Sequence, residues 1–420
     1  MREEIKRRIE QIRRGEVPEG YTKIKDGVFP SDWTNQKMKQ WISLEERPII
    51  LQDEEYYELV TVRRAYGGVD SRGIHQGKDI LVKTYFEVEE DDFIISKRQI
   101  AHGACGLVPS KLHGAVVSNE YNVFKANQGT NIHFFNLMMQ LPHYKRLFYL
   151  MSDGVHIEKL LFKTGDWMKR SLAMPPLDEQ KKIAEILTAQ DKLIALKEKL
   201  IEEKNRQKKA LMQQLLTGKK RLPGFGGEWS SVLFKECITE VDDRSTESNQ
   251  HPILSVTKDG IVYQADHFNK QIASDNNIGY KIIKRNQLAF SILNLWMGSV
   301  DVLTLCDVGI VSPAYKVFEC VEKNLIPSFA KYFLRSYNVI WLYNINSETG
   351  ASVVRKNLDL AALLNEKLEI PPIDEQGAVA KVLSTADAEI ELLQKDLDQE
   401  KQKKKALMQL LLTGIVRVTP

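Results

Sequence analysis

The chain has 420 residues, 43% hydrophobic and 27% charged, which suits a soluble globular protein of two or three domains. No apolar run approaches the ~18 residues of a transmembrane helix, and the charged N-terminus lacks the apolar stretch of a signal peptide. Four scattered cysteines without a CxxC pair argue against a disulfide framework or structural zinc and fit the cytoplasm, while a net charge of +3 is too small to announce a nucleic-acid binder.

In chain order, residues 1–15 predict a short N-terminal helix, with Ile5, Ile9 and Ile12 on one face and Gly15 as its stop. Residues 16–171 read as a mixed α/β domain. Strand-like runs such as Glu58–Val62 are punctuated by Gly, Asn and Asp turns, and Phe134–Gln140 reads as helix. Residues 172–222 then predict one long helix. Pro175-Pro176 fixes an extended entry, Asp178 stands at the N-cap, and Gly218 follows Leu-Leu-Thr as a C-terminal stop. Residues 223–369 form a second mixed α/β domain, with strands at Ile253–Val256, Lys281–Ile283 and Ala314–Phe318 and a helix at Ser328–Leu334. Residues 370–420 repeat the long helix, with Asp374 at the cap and Gly414 as the stop.

The repetition is the strongest signal. Met174-Pro-Pro-Leu-Asp-Glu-Gln180 recurs as Ile370-Pro-Pro-Ile-Asp-Glu-Gln376, and Lys208-Lys-Ala-Leu-Met-Gln213 as Lys404-Lys-Ala-Leu-Met-Gln409. Residues 174–222 and 370–418 share 22 identities over 49 ungapped positions, too many for two chance motifs. Phe29, Asp32 and Trp33 fall on Phe225, Glu228 and Trp229 at the same offset. The chain is therefore a duplication, ordered domain, helix, domain, helix. Apolar stripes (Ile183, Ile186/Leu187, Leu193/Ile194, Leu200/Ile201, Leu211, Leu215 in the first helix) are too narrow to be satisfied by one domain. They predict that the helices pack as a coiled coil, antiparallel if the copies are related by a pseudo-twofold. The polar interruptions Glu202–Lys209 and Asp398–Lys405 read as solvated faces.

No catalytic motif is found: there is no phosphate loop and no Asn/Asp-Pro-Pro-aromatic methyltransferase site, and Asp242-Asp243 reads as a solvated turn without a metal. The second globular domain is net acidic (14 basic, 17 acidic side chains), so any DNA-binding face must come from local clusters.

Two divergent domains, each followed by a helix opening Leu/Ile-Pro-Pro-Leu/Ile-x-Glu-Gln and closing Leu-Leu-Thr-Gly, resemble the specificity subunit of Type I restriction-modification enzymes. Gly27-Val-Phe-Pro-Ser-Asp-Trp33 and Gly309-Ile-Val-Ser-Pro-Ala-Tyr315 add to the likeness, which covers nearly the whole chain. The resemblance implies an α+β chain with two target-recognition domains, each reading one half of a bipartite, asymmetric double-stranded DNA sequence. It implies spacer helices that dock two methylation subunits and two restriction subunits. S-adenosylmethionine, ATP and Mg2+ then belong to those partners, and this chain carries no cofactor and no catalytic residue. Loops reaching the major groove should supply the DNA contacts. In the first domain these are Arg63, Arg64, Lys97, Arg98, Gln99 and His102, since Arg and Lys suit phosphates and guanine while Gln suits adenine. In the second, the equivalent positions are Lys258, Asp259, Asn294 and Trp296; Ser291–Gly298, which carries the last two, has no basic residue, and its tryptophan either stacks or wedges or packs in the core. A coiled-coil scaffold that binds only proteins is the alternative from another class.

Overall fold

The computed structural model describes residues 2–24, 27–156, 160–267, 276–349 and 356–418. The chain divides into two compact units, residues 1–196 with 397–420, and residues 197–396. Each long helix therefore contributes one half to each unit.

Among the described residues, the helices of seven residues or more are, in order, α1 (Arg2–Arg13), α2 (Ile132–Met138), α3 (Pro142–Leu150), α4 (Leu177–Leu215), α5 (Pro327–Phe333), α6 (Tyr337–Ile345) and α7 (Ile373–Leu411). Both long helices begin one residue before the expected caps. Each is entered from the rigid Pro-Pro pair, whose second carbonyl accepts from Gln180 N–H in one copy and Gln376 N–H in the other. Asp178 and Asp374 are thus first-turn residues, where their charge still favours the positive helix end. At the other end Gly218 and Gly414 adopt left-handed φ of 68° and 70°. Lys220 N–H donates back to Gln214 O and Val416 N–H to Leu410 O, which closes the same glycine-terminated motif twice.

Each unit holds a four-stranded sheet of the same order. In the first unit the strands are β1 (Ile42–Glu45), β6 (Phe93–Ser96), β7 (Cys105–Leu107) and β9 (Tyr121–Ala126), ordered β1-β9-β6-β7. The second sheet of that unit joins β2 (Pro48–Ile50), β3 (Tyr56–Val62), β4 (Val69–Gln76), β5 (Thr84–Glu87) and β8 (Val116–Ser118) in the order β2-β5-β8-β3-β4. In the second unit β10 (Ile238–Val241), β13 (Leu288–Ser291), β14 (Val300–Val302) and β15 (Tyr315–Cys320) are ordered β10-β15-β13-β14. There the hairpin β11 (Leu254–Thr257) and β12 (Gly260–Tyr263) stands as its own two-stranded ladder.

The helices run antiparallel in both units. In the first, Ile183 and Leu187 pack into a core shared with Leu411 and Leu412, and Gln190 Nε2 donates to Glu400 Oε2 at 2.6 Å. In the second, Leu215 and Leu216 share a core with Val379 and Leu383, and Lys204 pairs with Glu389 at 2.5 Å. The α4 seam is Leu187, Gln190, Ile194, Lys197, Ile201, Lys204, Lys208, Leu211 and Leu215, alternating steps of three and four as a coiled coil requires. This corrects two expectations. The polar interruptions are not simply solvated faces, since Lys204, Lys208, Glu400 and Lys404 reach across the seam to Glu389, Asp387, Gln190 and Asp191. Ile186, Leu193 and Leu200 stand outside the seam and are 36–43% exposed.

Repeated residues make repeated bonds. Gln180 and Gln376 are fully buried at the helix entries. Gln180 accepts from Asn131 N–H at 2.8 Å and donates to the Gly129 and Pro175 carbonyls; Gln376 accepts from Ile326 N–H at 3.0 Å and donates to the Asn324 and Pro371 carbonyls. Each glutamine ties the helix entry to the loop before α2 or α5. Gln180→Ala strands one donor and two acceptors, and is expected to cost about 3 kcal/mol in chemical denaturation, with Gln376→Ala costing a similar amount.

Candidate nucleic-acid interface

The candidate residues fall on two elements that recur in both units, a hairpin turn and a short loop ending in one 3-10 turn. In the first unit Arg63 and Arg64 open the turn between β3 and β4. Arg63 is largely exposed and pairs with Asp70 at 2.5 Å. The next two residues, Ala65 and Tyr66, take left-handed φ of 55° and 59°. This is unusual for non-glycine residues and is held in place by neighbours. Ala65 N–H donates to His102 O at 2.7 Å, Tyr66 N–H donates to Gly103 O at 2.8 Å, and the Tyr66 ring lies against Gly103 so closely that any Cβ there would sit 3.1 Å from it. These bonds bring Arg63 and Arg64 beside the loop bearing Lys97, Arg98, Gln99 and His102.

In that loop Gln99 precedes the 3-10 turn Ile100–His102, which Gly103 ends at φ 75°. Arg98 is exposed and pairs with Glu120 at 2.6 Å. The Lys97 carbonyl accepts from Phe162 N–H at 2.9 Å, and Gln99 Oε1 is buried without a hydrogen-bond partner among the described residues. Nearby Cys105 is fully buried, and burial pushes its thiol well above the usual range, so it serves as packing.

The second unit repeats the backbone bonds of the 3-10 turn itself. Asn294 precedes the 3-10 turn Leu295–Met297, which Gly298 ends at φ 84°. Asn294 N–H donates to Ser291 O as Gln99 N–H does to Ser96 O, and Gly298 N–H to Leu295 O as Gly103 N–H does to Ile100 O. Gln99 and Asn294 are thus the same position, a carboxamide in each copy. Ile100 and Leu295 fill one buried aliphatic position, but the other side chains diverge: Lys97, Arg98, Ala101 and His102 in one loop, Ile292, Leu293, Trp296 and Met297 in the other. Trp296 is half-buried, with Lys356 Nζ 5.0 Å above its ring. Lys356 gives this loop the cation its own sequence lacks. Sixty residues separate the two, so no local pattern could signal the pairing. Lys258 and Asp259 form the tight turn of the β11–β12 hairpin, the counterpart of Arg63-Arg64. Here, however, among the described residues no backbone bond joins the turn to the 3-10 loop; the Lys258 carbonyl accepts from Arg335 Nη2 at 2.6 Å. Arg335, like Lys356, lies outside every sequence signal.

The fold and these loops can be set beside known proteins. A family model for the Type I restriction modification DNA specificity domain matches residues 30–205 and 263–401, well over half of the chain. The chain belongs to the Type I restriction-modification specificity subunits. The Type I restriction enzyme MjaVIII specificity subunit of Methanocaldococcus jannaschii is 24% identical over 433 residues, covering 93% of this chain and 94% of that protein. The putative MjaX specificity subunit of the same organism is also 24% identical, over 95% of this chain and 97% of its own. Among solved structures, the HsdS subunit of Thermoanaerobacter tengcongensis matches with a TM-score of 0.50 at 16% identity, covering 92% of this chain and 98% of that one. A chain from a study of complex assembly and conformational transition in a type I restriction-modification system reaches 0.57 at 17% identity, over 92% and 99%. At such identities the structures show a shared fold. No helix among the described residues of this specificity subunit is long and apolar enough to cross a membrane.

Proposed function

We propose that this chain reads a bipartite, asymmetric double-stranded DNA sequence, one half-site per recognition domain, as a non-catalytic, cytoplasmic subunit. One observation carries the reading: the same 3-10 turn occurs twice with the same backbone bonds, a carboxamide and a buried aliphatic residue at matching positions, and unrelated side chains at the remaining positions. Selection for packing alone would keep the exposed chemistry of the copies similar. Two different sequences to be read would drive it apart. Arg63, Arg64, Lys97, Arg98, Gln99 and His102 are assigned to the first half-site, and Lys258, Asp259, Asn294 and Trp296 to the second.

The long helices support the rest of the assembly. Ile186, Ala189, Leu193 and Leu196 repeat at steps of three and four on α4 outside the seam, with Leu196 64% exposed. A second coiled-coil stripe left open suits a helix from a partner. We assign it to methylation subunits, two per complex, with two restriction subunits completing the enzyme. S-adenosylmethionine is placed on the first partner, and ATP and Mg2+ on the partners likewise, with none held by this chain. A protein-only scaffold would need the open stripe but gives no reason for the divergence of the two loops.

Co-expression of the chain with its methylation subunit is expected to methylate adenines at a single bipartite motif, read by genome-wide mapping. The purified chain alone, given S-adenosylmethionine, ATP and Mg2+, is expected neither to methylate nor to cut DNA. Methylation scattered over unrelated sequences, or activity in the lone chain, would overturn the reading.

A further inference from the structure

The two hairpin turns assigned to DNA are held by different means. In the first unit the β3–β4 turn is fixed by backbone bonds to the 3-10 loop, at Ala65 and Tyr66. In the second unit the shorter Lys258–Asp259 turn has no residues to spare for that contact. Its place is fixed from behind by a buried carboxylate and a guanidinium. Asp301, on β14 and only 8% exposed, accepts from Ile261 N–H at 3.0 Å and from Val302 N–H at 2.9 Å. Gly260 comes so close that a Cβ on it would lie 2.6 Å from Asp301 Oδ2, and its φ of 127° excludes other residues in any case. Arg335, from the segment between α5 and α6, donates to the Lys258 carbonyl at 2.6 Å. Within the turn, the Thr257 hydroxyl accepts from Asp259 N–H and donates to the Gly260 carbonyl.

A carboxylate buried this deeply is costly, and burial does raise the Asp301 carboxyl above its ordinary range, although two backbone N–H groups and the nearby Lys331 and Arg335 oppose the shift. The equivalent position in the first unit is Gly106, which packs against Gly68 and carries no charge. The charge is therefore a feature of one copy, found where the backbone stitch is missing.

We propose that Asp301 and Arg335 are positioning residues for the second half-site, locking the Lys258–Asp259 turn from beneath so that its side chains meet the bases in one geometry. This rests on the reading of that turn as a DNA contact. Neither residue reads a base; both act through the turn's backbone. Losing the lock loosens discrimination at one half-site and spares the other.

The test uses the full chain assembled with its methylation subunit, acting on a DNA library substituted at every position of both half-sites. Arg335→Met keeps the length and apolar stem of the side chain and removes its donors. It is expected to lower the preference for the correct second half-site about tenfold, the worth of one charged hydrogen bond, with the first half-site unchanged. Arg335→Lys, which still donates to the Lys258 carbonyl, is expected to restore most of that preference. Unchanged discrimination, or an equal loss at both half-sites, would overturn the proposal. Hydrogen exchange on the uncomplexed full chain gives a second reading that needs no assembly. In Asp301→Asn the amides of Asp259 and Ile261 are expected to exchange at least tenfold faster, with those of Ala65 and Tyr66 unaffected; equal protection in variant and parent also overturns it. The double variant Lys258→Ala, Asp259→Ala separates the two ideas. If it leaves the second half-site intact, the turn does not read bases and the underlying assignment fails. If it abolishes discrimination while Arg335→Met does not, the positioning role alone fails.

Discussion

Replacing residues 223–369 with the corresponding domain of another specificity subunit is expected to change one half of the methylated motif and leave the other half as it was. This is the largest functional effect the structure points to, because a whole set of contacts is exchanged at once. Each mismatched base pair typically costs about 1–3 kcal/mol, so a domain with new loops abandons the old half-site by several orders of magnitude. The graft is feasible because the domain enters and leaves through one short antiparallel ladder, Ser230–Leu233 with Lys367–Ile370, matched by Thr34–Lys37 with Ser171–Met174 in the other copy. A graft cut at those ladders keeps Gln376 and Arg221 in place. Mapping methylated adenines in cells carrying the hybrid decides the outcome. A change in both half-sites, or in neither, would refute the assignment of one domain to each.

A large effect on stability is expected from Arg417→Ala. Arg417 sits three residues from the end of the sequence, where its guanidinium spans two carboxylates. It donates to both oxygens of Glu179 at 2.8 Å and to both oxygens of Asp32 at 2.7–2.8 Å. Glu179 is 3% exposed, so removing the arginine leaves a buried carboxylate without its countercharge. That costs about 2–3 kcal/mol, below the ~3–5 kcal/mol of a fully buried pair because the arginine itself is a third exposed. Gly414 seats the same tail: a Cβ there would lie 2.6 Å from the Pro30 ring, and Tyr21 Oη donates to the Gly414 carbonyl at 2.6 Å. The loss should appear in urea titration as a lower midpoint.

The pairing also predicts a pH dependence. The Arg417 guanidinium holds the Asp32 carboxyl below its ordinary value, so the folded state binds that proton less readily than the unfolded chain. The contribution is fully present above the unfolded carboxyl range, near pH 4, and is lost as pH falls through the folded value. Arg417→Ala should lose this part of the acid sensitivity, whereas Arg417→Lys should keep some of it. The sister contact, Arg221 with Glu375, ties the first helix exit to the second helix entry in the same manner, with Arg221 also donating to the Gly227 carbonyl at 2.8 Å. Arg221→Ala is expected to act in the same direction.

Several features were legible in the amino-acid sequence because they are written in adjacent residues. The duplication, the two 39-residue helices, their glycine stops and four of the strands follow from periodicity, from Pro-Pro entries and from identities kept in register. The helix pairing was legible too, since two narrow apolar stripes demand each other. Which residues form the seam was not. Leu193 and Ile194 are equally apolar neighbours, and only the facing helix turns Ile194 in and leaves Leu193 out. The carboxamide shared by Gln99 and Asn294 was visible as two separate candidates, but their equivalence rests on backbone bonds that sequence does not display. Arg221 and Arg417 are among the identities shared by the two repeats, yet Glu375 and Glu179 lie 154 and 238 residues away. Lys356 over Trp296, and Arg335 beneath the Lys258 turn, are likewise long-range. Hydrophobic period and turn chemistry act over a few residues and are readable one window at a time. Charge pairing and loop support depend on which distant segments the tertiary fold brings together, and only the folded chain decides them.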